Sequence, residues 1–164
     1  MSAAHTSPDT PEVIAQRTTH VQDLMDRLRA SSPIYRLMLP TMSLTSVSKG
    51  TVFTRLVLSS EHLNSRGGLH GAVSATIIDF TTGLAIASWD LRPATGASVD
   101  MNISYLSAAK EGDVLEVEST ADKVGGSLSF VRVKIAKVDE NGEKTIVTLG
   151  QHTKYLRPKP KTDA

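Results

Sequence analysis

The 164-residue chain has no cysteine. That excludes disulfides, thiolate metal sites and a cysteine nucleophile. It suits a reducing setting, and the cytoplasm is the first expectation, the mitochondrion the second. Charge of one sign is also lacking: the net charge is +1, so no strong field draws nucleic acid or an anionic membrane. No basic block occurs, and no basic residues alternate with aromatic ones, so no nucleic-acid partner is expected. No unbroken apolar run reaches the roughly 18 to 20 residues of a membrane span. The nearest approach is interrupted by Thr76, Asp79, Thr81, Thr82 and Ser88. The N-terminus lacks the apolar core of a signal peptide. It carries Asp9, Glu12, Asp23 and Asp26, more acid than a mitochondrial presequence tolerates, and the C-terminal PKPKTDA is no peroxisomal tripeptide. The histidines show no metal-ligand spacing, so no metal is expected. There is no Gly-x-Ser-x-Gly elbow, which argues against a hydrolase triad of Ser98, His70 and Asp79.

What is present is ordinary globular composition, 40% apolar and 21% charged, in a length that suits one domain. The most informative run is NSRGGLHGAVSATIID, Asn64 to Asp79. Gly67, Gly68 and Gly71 make a turn in which other atoms can approach the backbone closely. Beyond Gly71 the pattern predicts a helix of roughly 17 to 19 residues that ends near Trp89-Asp90, before Pro93. Its free first-turn N–H groups and the positive end of its dipole point into the turn. Such a place stabilises a carbonyl oxygen that becomes negative. Ala72, Ala75, Asp79, Gly83 and Ile86 share one stripe of this helix. The small residues leave room beside Asp79 for a ligand or a second subunit. Apolar company predicts a raised pKa for Asp79, which suits a general base or a nucleophile.

Residues 1–8 are small and polar and are expected to be disordered. A helix is expected over 9–32, with Pro11 in its first turn. Val13, Ile14, Val21, Leu24, Met25 and Leu28 share its apolar face, and Ser31-Ser32-Pro33 ends it. Strands are expected near Leu39–Ser48 and over Thr51–Ser59. Four more follow the central helix. In Ser98–Leu106, Ser98, Asp100, Asn102 and Ser104 alternate with Val99, Met101, Ile103 and Tyr105. Val114–Val124, Leu128–Val138 and Glu143–Tyr155 complete the set, joined through Gly125-Gly126 and the hairpin signal Asp139–Gly142. A flexible tail covers 157–164. One long helix with an antiparallel sheet is an α+β layout.

Three separated motifs resemble the small hotdog-fold acyl-CoA thioesterases of the phenylacetate-pathway (PaaI) type. Within these the chain is most similar to the branch of thioesterase superfamily member 2, or acyl-CoA thioesterase 13. The signature N-x-x-G-x-L-H-G-G stands here as Asn64, Gly67, Leu69, His70 and Gly71, with Ala72 in place of the last glycine and Asp79 on the following helix. SVDMNISYLSAAKEGD (Ser98 to Asp113) and LGQHTKYL (Leu149 to Leu156) match the family's later strands. The resemblance covers Pro33 to Leu156. It implies a hotdog fold over 33–156, an antiparallel sheet wrapped around one long helix. It also implies edge-to-edge pairing into a homodimer or a homotetramer, with active sites at the dimer seam. The implied activity is hydrolysis of a fatty or aryl acyl-CoA, medium or long in chain, to free acid and CoA. No cofactor is implied, since CoA is part of the substrate. The implied roles are Asp79 as base or nucleophile, the Gly71 N–H as oxyanion donor, and Asn64 and Ser98 holding water and thioester. His70 would support the turn. Tyr105, Tyr155 and the loop Lys123, Gly125, Gly126, Ser127 and Leu128 would bind the CoA portion. Two other readings remain: a hotdog hydratase, whose Asp and His arrangement is not found here, and a non-catalytic acyl-CoA or lipid-binding hotdog protein, for which Ala72 is the one favouring feature and against which the intact Asn64, Gly71, Asp79 and Ser98 set argues.

Overall fold

The computed structural model describes residues 9–157. The expectations for 1–8 and 158–164 fall outside this range. Helix α1 is Pro11–Ser31. Pro11 fits the first turn because its missing N–H has no helical partner to lose, and the Thr10 side chain accepts from Val13 N–H. Val21, Leu24 and Met25 are buried as expected, but Ile14 is exposed and Arg17 is buried instead. Arg17 donates to the carbonyls of Ser88 and Trp89 and pairs with Asp9. His20 donates to Arg92 O and Arg27 to Pro93 O. These side chains of α1 therefore grip the carbonyl-rich, partly negative end of the central helix and the loop that leaves it.

A second, short helix α2, Pro33–Met38, was not expected. Ser32 breaks the first helix, and Pro33 ends one helix only to start another. The first strand is correspondingly shorter than predicted. β1 is Ser43–Ser48 and β2 is Thr51–Val57. A single 3-10 turn, Ser60–His62, follows. The central helix α3 is Gly71–Asp90, 20 residues, closed by Leu91 in the left-handed conformation. β3 (Ala97–Tyr105), β4 (Val114–Val124), β5 (Leu128–Val138) and β6 (Lys144–Tyr155) complete one six-stranded antiparallel sheet, ordered β1-β2-β4-β5-β6-β3.

α3 lies in the concave face of this sheet. Ile77, Ile78, Phe80, Leu84 and Ile86 are at most 1% exposed, and they form one core with Val52, Leu56, Leu115, Val117 and Ile135. Each such side chain contributes about 1.5–3 kcal/mol by burial. By length and composition α3 is apolar enough to cross a bilayer, yet 72% of its most apolar 18-residue stretch is buried inside the protein, as befits a core helix. Gly150 on β6 permits this packing: a Cβ there would lie 2.7 Å from Ile78.

β3 departs from simple alternation. A bulge between Ser98 and Asp100 shifts its register against β6. Ser98 therefore faces the helix with Met101 and Ile103 and does not share a face with Asp100, Asn102 and Ser104, where simple alternation put it. A bulge does this because it adds one residue to one strand only. β3 is also an edge strand, and Val99, Tyr105 and Leu106 on or beside it are exposed.

Candidate active site

The side chain of Asp79 leaves α3 halfway along its length and meets donors from three other elements. Lys154 of β6 donates to Oδ1 at 2.8 Å, and Ser98 of β3 lies 3.2 Å from the same oxygen. Tyr35 of α2 donates to Oδ2 at 2.6 Å. Strand pairing explains the meeting, since Ser98 sits opposite Lys154 and Met101 opposite His152. His152 Nε2 is 3.0 Å from Ser98 Oγ, and its Nδ1 is 2.8 Å from Thr82 Oγ1. The Thr82 hydroxyl spends its proton on the carbonyls of Ile78 and Asp79. It must accept from His152, so the imidazole carries its proton on Nδ1. Nε2 is then an acceptor for Ser98, whose single proton is shared between His152 and Asp79.

Asp79 was expected to have a raised pKa, and the structure corrects this. Burial pushes the carboxyl up, but hydrogen bonds from Lys154 and Tyr35, with the Lys154 charge, outweigh it and hold the group below its usual range. Asp79 is ionised at neutral pH. The cause was out of reach of the helix pattern: the lysine comes from a strand 75 residues away. His152 is pushed down to about 4, first by burial and then by Lys154, against the pull of Asp79 and Asp100. In the unfolded chain it would titrate near 6.5. Between those values the unfolded state binds more protons, so stability falls as pH drops from about 6.5 to about 4. The full shift corresponds to a loss of up to about 3 kcal/mol. His152→Gln is expected to flatten this part of a melting-temperature profile, and a profile with the wild-type slope would show that another group causes it.

A second cluster surrounds the start of α3. His70 is its N-cap, with Nδ1 accepting from Ala72 N–H at 3.0 Å. The Gly71 N–H has no acceptor among the described residues. The Tyr105 ring covers Gly71, where a Cβ would lie 3.2 Å from the Tyr105 hydroxyl. Asn64 Oδ1 accepts from Arg66 N–H at 2.9 Å and from Gly68 N–H at 3.3 Å, which closes the loop. Ala72 is exposed, and its N–H is taken by the cap.

These two clusters do not meet within one chain. Asp79 is eight residues beyond Gly71, about 12 Å along the helix at about 1.5 Å per residue. The loop Lys123–Leu128 and Tyr155 form a third group, where Leu128 pairs with Tyr155. Along β6 this is about 23 Å from Tyr105, at about 3.3 Å per residue. Gly125 has no N–H to offer a CoA phosphate, because it donates to Leu128 O at 2.8 Å. The small stripe is only half open: Ala75 lines a hollow with Asp79, while a Cβ on Gly83 would lie 2.6 Å from Thr95. Among the described residues no His, Cys, Asp or Glu cluster could hold a metal. Tyr35, His152 and Lys154 escaped the reading of the sequence. The signal for the last two was Gly150, His152 and Lys154 at inward positions of one strand, because a lysine facing a core needs a counter-charge.

Comparison with known proteins gives the class. A thioesterase superfamily model matches residues 66–144. Human acyl-coenzyme A thioesterase 13 is 31% identical over 141 residues, 85% of this chain and 98% of that protein. The crystal structure of zebra fish thioesterase superfamily member 2 superposes with a TM-score of 0.73 at 34% identity, covering 85% of this chain and 96% of that one. A Streptococcus pneumoniae thioesterase protein solved with coenzyme A shares the fold, with a TM-score of 0.69 at 21% identity over 82% of this chain and 98% of that one. The fold is the hotdog fold, and the chain belongs to the thioesterase superfamily, alongside acyl-CoA thioesterase 13. It is a thioester hydrolase by that membership.

Proposed function

We propose that the chain hydrolyses a medium- or long-chain fatty acyl-CoA or an aryl acyl-CoA at a site shared between two copies. The observation that carries this is the ionised Asp79, fixed by Lys154, Ser98 and Tyr35 beside an apolar-walled hollow of about 380 Å³. The free Gly71 N–H is the matching oxyanion donor, but it is too far along the same helix to serve the same carbonyl. Two copies related by a two-fold axis through their β3 edges bring the start of one α3 to Asp79 of the other. The exposed Val99, Tyr105 and Leu106 give that edge apolar surface to bury. The loop 123–128 and Tyr155 are read as contacts for the CoA portion, and no retained cofactor is needed.

The chemistry follows from the hydrogen bonds. Both Asp79 oxygens already accept hydrogen bonds, so direct attack on carbon would require stripping them. A water needs only one remaining lone pair, so Asp79 is read as a general base. It takes a proton from water as oxygen attacks the thioester carbon. The oxyanion forms at the partner copy's Gly71 N–H. Collapse expels the CoA thiolate, which takes the proton back from Asp79. The test is thiol release from a panel of acyl-CoAs by wild type and Asp79→Asn. Turnover that peaks at one acyl length and falls about 10²- to 10⁴-fold in the variant is expected. Bound CoA with no turnover on any thioester would sink this reading in favour of a binding protein.

A further inference from the structure

We propose that Tyr35, carried on the short helix α2, is a positioning residue for the Asp79 carboxylate. The inference rests on the reading of Asp79 as the base. Lys154 and Ser98 both act on Oδ1. Among the described residues Tyr35 alone holds Oδ2, at 2.6 Å. A carboxylate held on one oxygen can still turn about its terminal bond, and a donor on each oxygen fixes its plane. Terminal torsions of this kind are otherwise broad.

The rest of α2 is built to keep the phenol there. The Tyr35 ring packs edge-on against Phe80, the neighbour of Asp79, with centroids 4.8 Å apart. Its carbonyl accepts from Leu39 N–H at 2.9 Å. Buried His62 accepts from Ser59 N–H on Nδ1 at 2.8 Å, so Nε2 carries the proton and donates to Met38 O, also at 2.8 Å. Arg29 of α1 donates to Met42 O at 2.7 Å. The end of α2 is thus tied to the turn before the Asn64 loop, and the segment that follows α2 is tied to α1. Tyr35 and Ile34 also wall the hollow beside Asp79.

The titratable and charged groups that bear on Asp79 are Tyr35 from α2 and Lys154 and His152 from β6, with Asp100 of β3 acting on His152. Burial and the Asp79 carboxylate push the Tyr35 phenol up, so it stays a donor across the working range of pH.

The test is Tyr35→Phe, which keeps the ring on Phe80 and removes one oxygen. Carbon-13 carboxyl spectra are titrated for wild type and variant, with the Asp79 signal assigned by its loss in Asp79→Asn. The Asp79 midpoint is expected about one pH unit higher in Tyr35→Phe, because one donor to the ionised form is gone. With acyl-CoA, kcat is expected to fall about 3- to 10-fold with KM within about twofold, as for a group that acts through the base. An unchanged Asp79 midpoint overturns the proposal whatever the kinetics. The titration needs no substrate. Failure of the protein to hydrolyse any acyl-CoA would count against the proposed function, and a shifted midpoint would still establish the Tyr35 contact.

Discussion

Asp79→Asn is expected to melt about 5–10 °C below wild type, and Asp79→Asn/Lys154→Met to recover most of that loss while staying inactive. The reason is the depth of Lys154, whose side chain is 4% exposed against 35% for Asp79. Asparagine can still accept a hydrogen bond from the ammonium, but it supplies no charge. Removing one partner of a buried ion pair costs about 3–5 kcal/mol, whereas replacing both by apolar groups is often neutral. The partial exposure of Asp79 lowers this to roughly 2–3 kcal/mol. For a chain of this size each kcal/mol moves the melting temperature by about 2–4 °C. Scanning calorimetry of the three proteins decides the matter. Loss of an active-site group more often stabilises a protein, because such groups are kept at a cost in stability. An Asp79→Asn variant as stable as wild type would therefore show that Lys154 does not depend on this carboxylate.

The same pair explains why the site was only partly legible in the sequence. The central helix, the three long strands after β3 and both hairpin turns follow from local periodicity and turn residues, and they stand within a residue or two of where that periodicity puts them. Local pattern fails where one residue is inserted or where a segment is too short to have a period. Helix α2 has six residues, PIYRLM, and no repeat to read. The bulge after Ser98 reverses the face of one residue, and that residue is the one that meets Asp79. The charge state of Asp79 depends on Lys154, which only strand pairing brings near. Apolar neighbours along a helix report the desolvation of a carboxylate, but they cannot report a cation that arrives from another element.

The proposed division of the site between two chains gives the other large effect. Asn64→Asp and Asp79→Asn are each expected to be inactive, and an equal mixture of the two after subunit exchange to regain about a quarter of wild-type turnover. Aspartate at 64 can still accept from Arg66 N–H and Gly68 N–H, so the loop stays closed. It loses the amide donor that reaches Leu69 O at 3.5 Å and, with Asn64 read as a residue that holds the thioester, sets a negative charge against the forming oxyanion without unfolding the turn. If each site takes Asn64 from one copy and Asp79 from the other, a mixed dimer has one site with both native residues and one with neither. Half the dimers are mixed and half of their sites work, which gives the quarter. A site contained in one chain predicts no recovery at any mixing ratio. Such a result would mean that the Gly71 N–H, about 12 Å along the helix from Asp79, is not the donor to the thioester on which Asp79 acts.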